Sequence, residues 1–175
     1  MRDSDTKQAR SDSRKTGVMR WIGRAVLLLV VLVGVHLYQV RGIPSGVAPD
    51  FQARLLDGSP VSLSDYRGKP LLLQFWATWC PVCALEQASI NRIARDHAVL
   101  SIAMDQASVA DIRQWMKERG VDYPVARDPS GAVAARFGVR GVPTSLFIDA
   151  AGRIRFVEVG YTTEPGLRLR LWWIR

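Results

Sequence analysis

The sequence predicts an α/β domain with a central mixed sheet flanked by helices, preceded by one N-terminal transmembrane helix. Three observations carry this. An apolar run from Trp21 to Val40 follows a polar, charged opening. Beyond it, short apolar strands alternate with helical stretches, then give way to a hairpin and another helix, the order of an α/β sandwich. The only two cysteines of 175 residues, Cys80 and Cys83, fall where a buried strand meets a helix.

Residues 1–20 are polar and poor in apolar side chains, which predicts a disordered cytoplasmic tail. Residues 21–40 predict the anchor. Ala25 through Val35 lack any polar side chain, and a spanning helix needs about 20 mostly apolar residues. Arg24 can snorkel at one end, and Trp21 and Tyr38 suit the two interfaces. The competing reading is a signal peptide cut after Ala48, but Ala48 lies well beyond the apolar core and Pro49 follows it directly. In either case the basic end stays cytoplasmic and the remainder is exported, which predicts a single-pass inner-membrane protein with a periplasmic domain. Net charge is +8; residues 1–24 hold seven basic and three acidic residues, so +4 lies there and +4 is spread over the rest. No basic stripe with interleaved aromatics is present, so nucleic-acid binding is not indicated.

Residues 41–48, with Gly42, Pro44 and Gly46, read as a linker, and the domain is expected over 49–175. Phe51–Leu55 alternates, Asp57-Gly58 turns, and Pro60–Leu63 returns, a short hairpin. Ser64–Lys69 reads as a loop and Leu71–Trp76 as a buried strand. A helix follows the cysteines, then a strand over Val99–Met104. Ser108 and Asp111 fit a capping box for a helix that stops at Gly120. Tyr123–Ala126 is a brief edge strand, and Ser130–Phe137 a short helix ended by Gly138. Thr144–Asp149 and Arg153–Val159 form a hairpin around Ala151-Gly152. A helix from about Glu164 places Leu167, Leu171 and Ile174 on one face. Trp172 and Trp173 are expected to pack onto the sheet, with a membrane-surface role as the alternative.

The chemistry concentrates in Trp79-Cys80-Pro81-Val82-Cys83. A cysteine at a helix N-terminus meets free backbone N–H groups and the positive end of the helix dipole, both of which favour thiolate. Pro81 suits the first helical turn, where its missing N–H costs nothing. Cys83 is one turn on, close enough to close a disulfide. Structural zinc would need four ligands, and neither His36 nor His97 has ligand spacing. Haem attachment would need His where Ala84 stands. A purely structural disulfide across so short a loop would constrain the unfolded chain little. Redox chemistry is the remaining use, with no cofactor beyond the cysteine pair and no metal.

With Phe75-Trp76-Ala77-Thr78-Trp79-Cys80-Pro81-Val82-Cys83 and Gly141-Val142-Pro143-Thr144 in view, residues 47–175 resemble the thioredoxin superfamily. Val47–Phe51 and Tyr66–Pro70 are similar to its membrane-anchored TlpA/ResA branch, and within it to the copper-sensitivity-suppressor (Scs) D-type proteins. The resemblance implies thiol–disulfide exchange with protein substrates, Cys80 attacking and Cys83 resolving. It implies a cis Pro143 that offers the Val142 backbone to a substrate peptide. Glu86 matches an acid that sits beneath the cysteines and handles protons; its alternative is an exposed helix carboxylate. Gln74 stands where many thioredoxins carry a buried acid. The branch is usually kept reduced, which implies a reductant served by a membrane electron donor of DsbD type.

Two other readings stand beside this. A peroxiredoxin-like peroxidase shares the Ala48-Pro49-Asp50-Phe51 opening but needs Thr three residues before its reactive Cys, and Thr78 is two before Cys80. A copper(I)-binding tethered module would use both thiolates as soft ligands, with Met104 the nearest methionine able to join them.

Overall fold

The computed structural model describes residues 19–35, 38 and 41–175. The expected tail lies outside the described residues except for 19 and 20, as do 36, 37, 39 and 40 of the expected anchor. The chain forms two units, Met1–Gln39 and Val40–Arg175. In the first, residues 19–35 form helix α1, with exposed side chains along its length. Among the described residues, no helix is long and apolar enough to cross a membrane.

The second unit is an α/β fold. In chain order it contains β1 (Gly46–Val47), β2 (Gln52–Arg54), β3 (Pro60–Ser62), β4 (Leu71–Trp76), α2 (Pro81–Ile93), β5 (Ala98–Ala103), α3 (Val109–Glu118), β6 (Val125–Arg127), α4 (Ala132–Arg136), β7 (Thr144–Ile148), β8 (Arg153–Val159) and α5 (Glu164–Trp173). Six strands make one mixed sheet in the order β1-β8-β7-β4-β5-β6, and β2 pairs with β3 separately. β4 runs parallel to β5 and antiparallel to β7. All six β4 residues are buried, as a strand covered on both faces requires.

Strand alternation divides the core. Leu71, Leu73 and Phe75 face one cluster, with Phe51, Phe137 and Leu146. Leu72 and Trp76 face the other, with Cys80, Cys83, Ile90, Leu167 and Leu171. Gln74 shares the second face by the same period. The Trp76 indole N–H donates to the Ser101 hydroxyl, which satisfies both polar groups inside that layer.

Four features depart from the sequence reading. The linker expected over 41–48 ends inside the sheet, because Gly46 and Val47 pair with Ile154 and Arg153. The loop expected from Ser64 holds a 3₁₀ turn, Leu63–Tyr66, whose Asp65 carboxylate accepts from the Ser62 N–H at 2.7 Å. The short helix is confined to Ala132–Arg136. Trp172 and Trp173 are not buried against the sheet: they are 60% and 68% exposed, while Leu167 and Leu171 fill the buried face.

Gly138 has φ +64°, and a Cβ there would fall on the Gly42 carbonyl. Gly138→Ala should therefore lower unfolding free energy by about 1–2 kcal/mol from the left-handed backbone alone, with the clash in addition. Chemical denaturation of the full chain measures this; an unchanged midpoint would contradict the packing of residue 42 on this turn.

Candidate active site

β4 delivers the chain to the site and α2 starts there. Cys80 is the N-cap of α2 and Pro81 its first residue. Cys80 and Cys83 form a disulfide, with Cα atoms 5.3 Å apart. The Cys83 backbone N–H, one of the donors left free by helix geometry, points at Cys80 Sγ at 3.1 Å. Cys80 is 4% exposed and Cys83 fully buried, so the two sulfurs are unequal: only Cys80 meets solvent. Trp79 and Val82 are exposed beside it.

The Val142–Pro143 peptide bond is cis. The Val142 carbonyl oxygen lies 3.7 Å from Cys80 Sγ. The loop is held from both sides: the Thr144 hydroxyl donates to the Gly141 carbonyl at 2.8 Å, and the Gly160 N–H donates to the Pro143 carbonyl at 2.8 Å. Sequence positions more than sixty residues apart thus meet at one sulfur.

Glu86 is not the exposed carboxylate of the alternative reading. It is fully buried on α2, one turn beyond Cys83 on the same inward face. Both carboxylate oxygens are engaged: Oε1 accepts from the Thr162 N–H at 2.8 Å and Oε2 from Gln74 Nε2 at 3.0 Å. Burial pushes its pKa above the ordinary glutamate value, and the two hydrogen bonds offset part of that rise. Nearby Tyr123 donates its hydroxyl to Gln87 Oε1, and burial together with the Glu86 charge pushes its phenol upward. Gln74 Oε1 and Gln87 Nε2 are buried without a protein partner.

One residue escaped the sequence reading. Asp105, buried after β5, accepts the Thr78 N–H at 2.8 Å on one carboxylate oxygen and the Ala107 N–H at 3.0 Å on the other. It pins the turn that carries Trp79 and Cys80. The only signal was an acid directly after a strand, which by itself names no partner. Met104 packs with the core cluster on the face opposite the cysteines.

The sequence matches the AhpC/TSA family over residues 44–157. The thioredoxin-like protein YneN of Bacillus subtilis is 30% identical over 165 residues, covering 87% of this chain and 96% of that protein. The thiol-disulfide oxidoreductase ResA of Bacillus thuringiensis subsp. konkukian is 30% identical over 148 residues, covering 77% and 85%. The chain belongs to the AhpC/TSA family, as a ResA-like member of the thioredoxin superfamily. Its fold agrees. The exposed lipoprotein thioredoxin Etrx1 of Streptococcus pneumoniae superposes with TM-score 0.63 at 34% identity, covering 71% of this chain and 99% of that one. A thioredoxin-family thiol:disulfide interchange protein of Chlorobium tepidum gives 0.66 at 27% identity, covering 75% and 97%. The protein is a thiol–disulfide oxidoreductase, and protein thiols and disulfides are the substrates its family implies.

The raised pKa of Glu86 has a signed consequence. Below the ordinary glutamate value, near 4.5, folded and unfolded chains both hold the proton. Above it the unfolded chain releases that proton first, so stability falls as pH rises, levelling off above the raised folded value. The oxidised chain should show this decline and Glu86→Gln should lack it, the two curves diverging as pH rises from the ordinary glutamate range. Parallel denaturation midpoints across that range would contradict the assignment.

Proposed function

We propose that this chain is a membrane-tethered, extracytoplasmic protein disulfide reductase working through Cys80-Pro81-Val82-Cys83. The observation that carries the reading is the pairing of a solvent-reachable sulfur with a helix-terminal N–H, beside a fully buried second sulfur.

In the reduced chain the Cys80 thiolate attacks a substrate disulfide. A bond forms between Cys80 Sγ and one substrate sulfur, and the other leaves as thiolate and takes up a proton. Cys83, deprotonated, then attacks Cys80 Sγ; the substrate departs as a dithiol, and the Cys80–Cys83 disulfide remains. Two electrons have passed to the substrate. Glu86 is the buried acid on the Cys83 face of α2 and serves as the proton acceptor for that thiol. The Val142 backbone aligns the substrate segment against Cys80, and Trp79 and Val82 give it an apolar rim. The disulfide is the redox group, and a membrane electron donor of DsbD type restores the dithiol. The apolar segment 21–40 is the tether, with its basic end cytoplasmic and the redox domain on the periplasmic side of the inner membrane.

Couples on this fold span about −270 mV to about −120 mV, and the reductant reading places this one toward the former. Cys83→Ser should stall at the mixed disulfide and accumulate covalent adducts reversible by dithiothreitol, while Cys80→Ser captures none. A midpoint potential at the oxidising end would overturn the direction; absence of adducts would overturn the exchange itself.

A further inference from the structure

Apart from Val47 and Leu85, the strongly exposed large apolar side chains of the second unit fall into two groups. Trp79, Val82 and Tyr161 belong to the surroundings of the dithiol and the β8–α5 turn. Leu169, Trp172 and Trp173 belong to α5 and have no part in exchange. α5 carries two apolar stripes. Leu167, Leu171 and Ile174 are buried in the core, and Leu169, Trp172 and Trp173 face outward at 60%, 60% and 68% exposure.

The second stripe has a definite place in the fold. Leu169 and Trp173 line a groove of about 290 Å³ with Phe156 of β8 and Arg170. Arg170 also pairs with Glu158. Helix residues 170 to 173 therefore meet strand residues 158 to 156, so α5 runs back along β8, antiparallel to it. Its tryptophan end lies toward Ile154, which pairs with Gly46. The opposite end of β8 lies by the dithiol, where Gly160 bonds Pro143. β1 lies on this same β8 edge of the sheet.

Charge matches the apolar pattern. Of the five arginines in residues 153–175, Arg168 pairs with Asp96 and Glu164, Arg170 with Glu158 and Arg155 with Asp149, which leaves Arg153 and Arg175 without an acidic partner among the described residues. Arg153, Arg155 and Arg175 are exposed. Exposed tryptophans flanked by arginines on a half-apolar helix suit the headgroup level of a bilayer, where an amphipathic ring finds both apolar and polar surroundings.

We propose that α5 is a lipid-docking face. Leu169, Trp172 and Trp173 rest at the surface of an anionic bilayer, Arg153 and Arg175 meet lipid phosphates, and the dithiol is left at the far end of β8. This rests on the tether reading for proximity to the bilayer, but is tested separately from it.

The test uses the full chain reconstituted in phosphatidylglycerol–phosphatidylethanolamine vesicles, with brominated acyl chains as the tryptophan quencher. Four proteins are compared: wild type, Trp21→Phe, Trp172→Phe/Trp173→Phe, and the triple variant. Insulin reduction by each confirms an intact fold. The Trp21→Phe chain should keep bromolipid quenching, the triple variant should lose it, and replacing phosphatidylglycerol by phosphatidylcholine should weaken it. Wild-type quenching that vanishes with Trp21→Phe alone would overturn the docking face and leave the tether standing. No quenching in wild type would overturn both. Tryptophans shielded by a second copy, without bromolipid quenching in the Trp21→Phe chain, would also overturn the proposal.

Discussion

The contact on which the site depends is the Cys83 N–H directed at Cys80 Sγ across 3.1 Å. It exists because α2 begins at that residue. A helix leaves its first amides unpaired, and here one of them faces a sulfur that can carry charge. Pro81 removes an amide from this end at no cost to the helix, since that amide has no helical partner, and fixes the backbone of the first turn. β4, buried on both faces, sets where the turn falls, and Asp105 holds it through the Thr78 N–H while its other oxygen accepts the Ala107 N–H of its own loop.

Around that contact the two sulfurs are given different environments. Cys80 has solvent on one side and the Val142 carbonyl on another; Cys83 has only the interior. An interior thiol loses ionisation unless a base lies near, and Glu86 is the buried acid on the same helical face. Its raised pKa matters because a carboxylate held closer to the thiol range exchanges protons with it at smaller cost. Thr162 and Gln74 temper the rise by donating to the charged form. Gln74 thus has a use in this layer even without an acidic side chain of its own. Its Oε1, unpaired in the oxidised state, is available to a protonated Glu86 should the amide turn over.

Much of this was readable in advance, for local reasons. Six consecutive apolar or amide residues over 71–76, too short for a helix of usual length, read as a strand covered on both faces, and the strand-to-helix position of the cysteines followed from it. The pairing of Val142–Pro143 with Cys80 came from resemblance alone, because nothing in either segment points to the other sixty residues away. β1 was missed because two residues carry no period. Asp105 was missed because its value lies in its tertiary partners. The tryptophans of α5 were misjudged by a rule that runs one way: apolar side chains dominate the inside, yet the outside holds many of them too. Leu167, Leu171 and Ile174 already complete one stripe of the helix, so Trp172 and Trp173 must fall on the other side by helical geometry.

The central claim is that the sulfur at position 80 is held as an anion by the end of a helix. Ultraviolet titration of thiolate absorbance in the reduced Cys83→Ser chain isolates that group. The account predicts a Cys80 pKa clearly below the unperturbed value of about 8.5, in the range of about 3.5–7.5 reached by cysteines at helix N-termini. Titration at or above about 8.5 would contradict it.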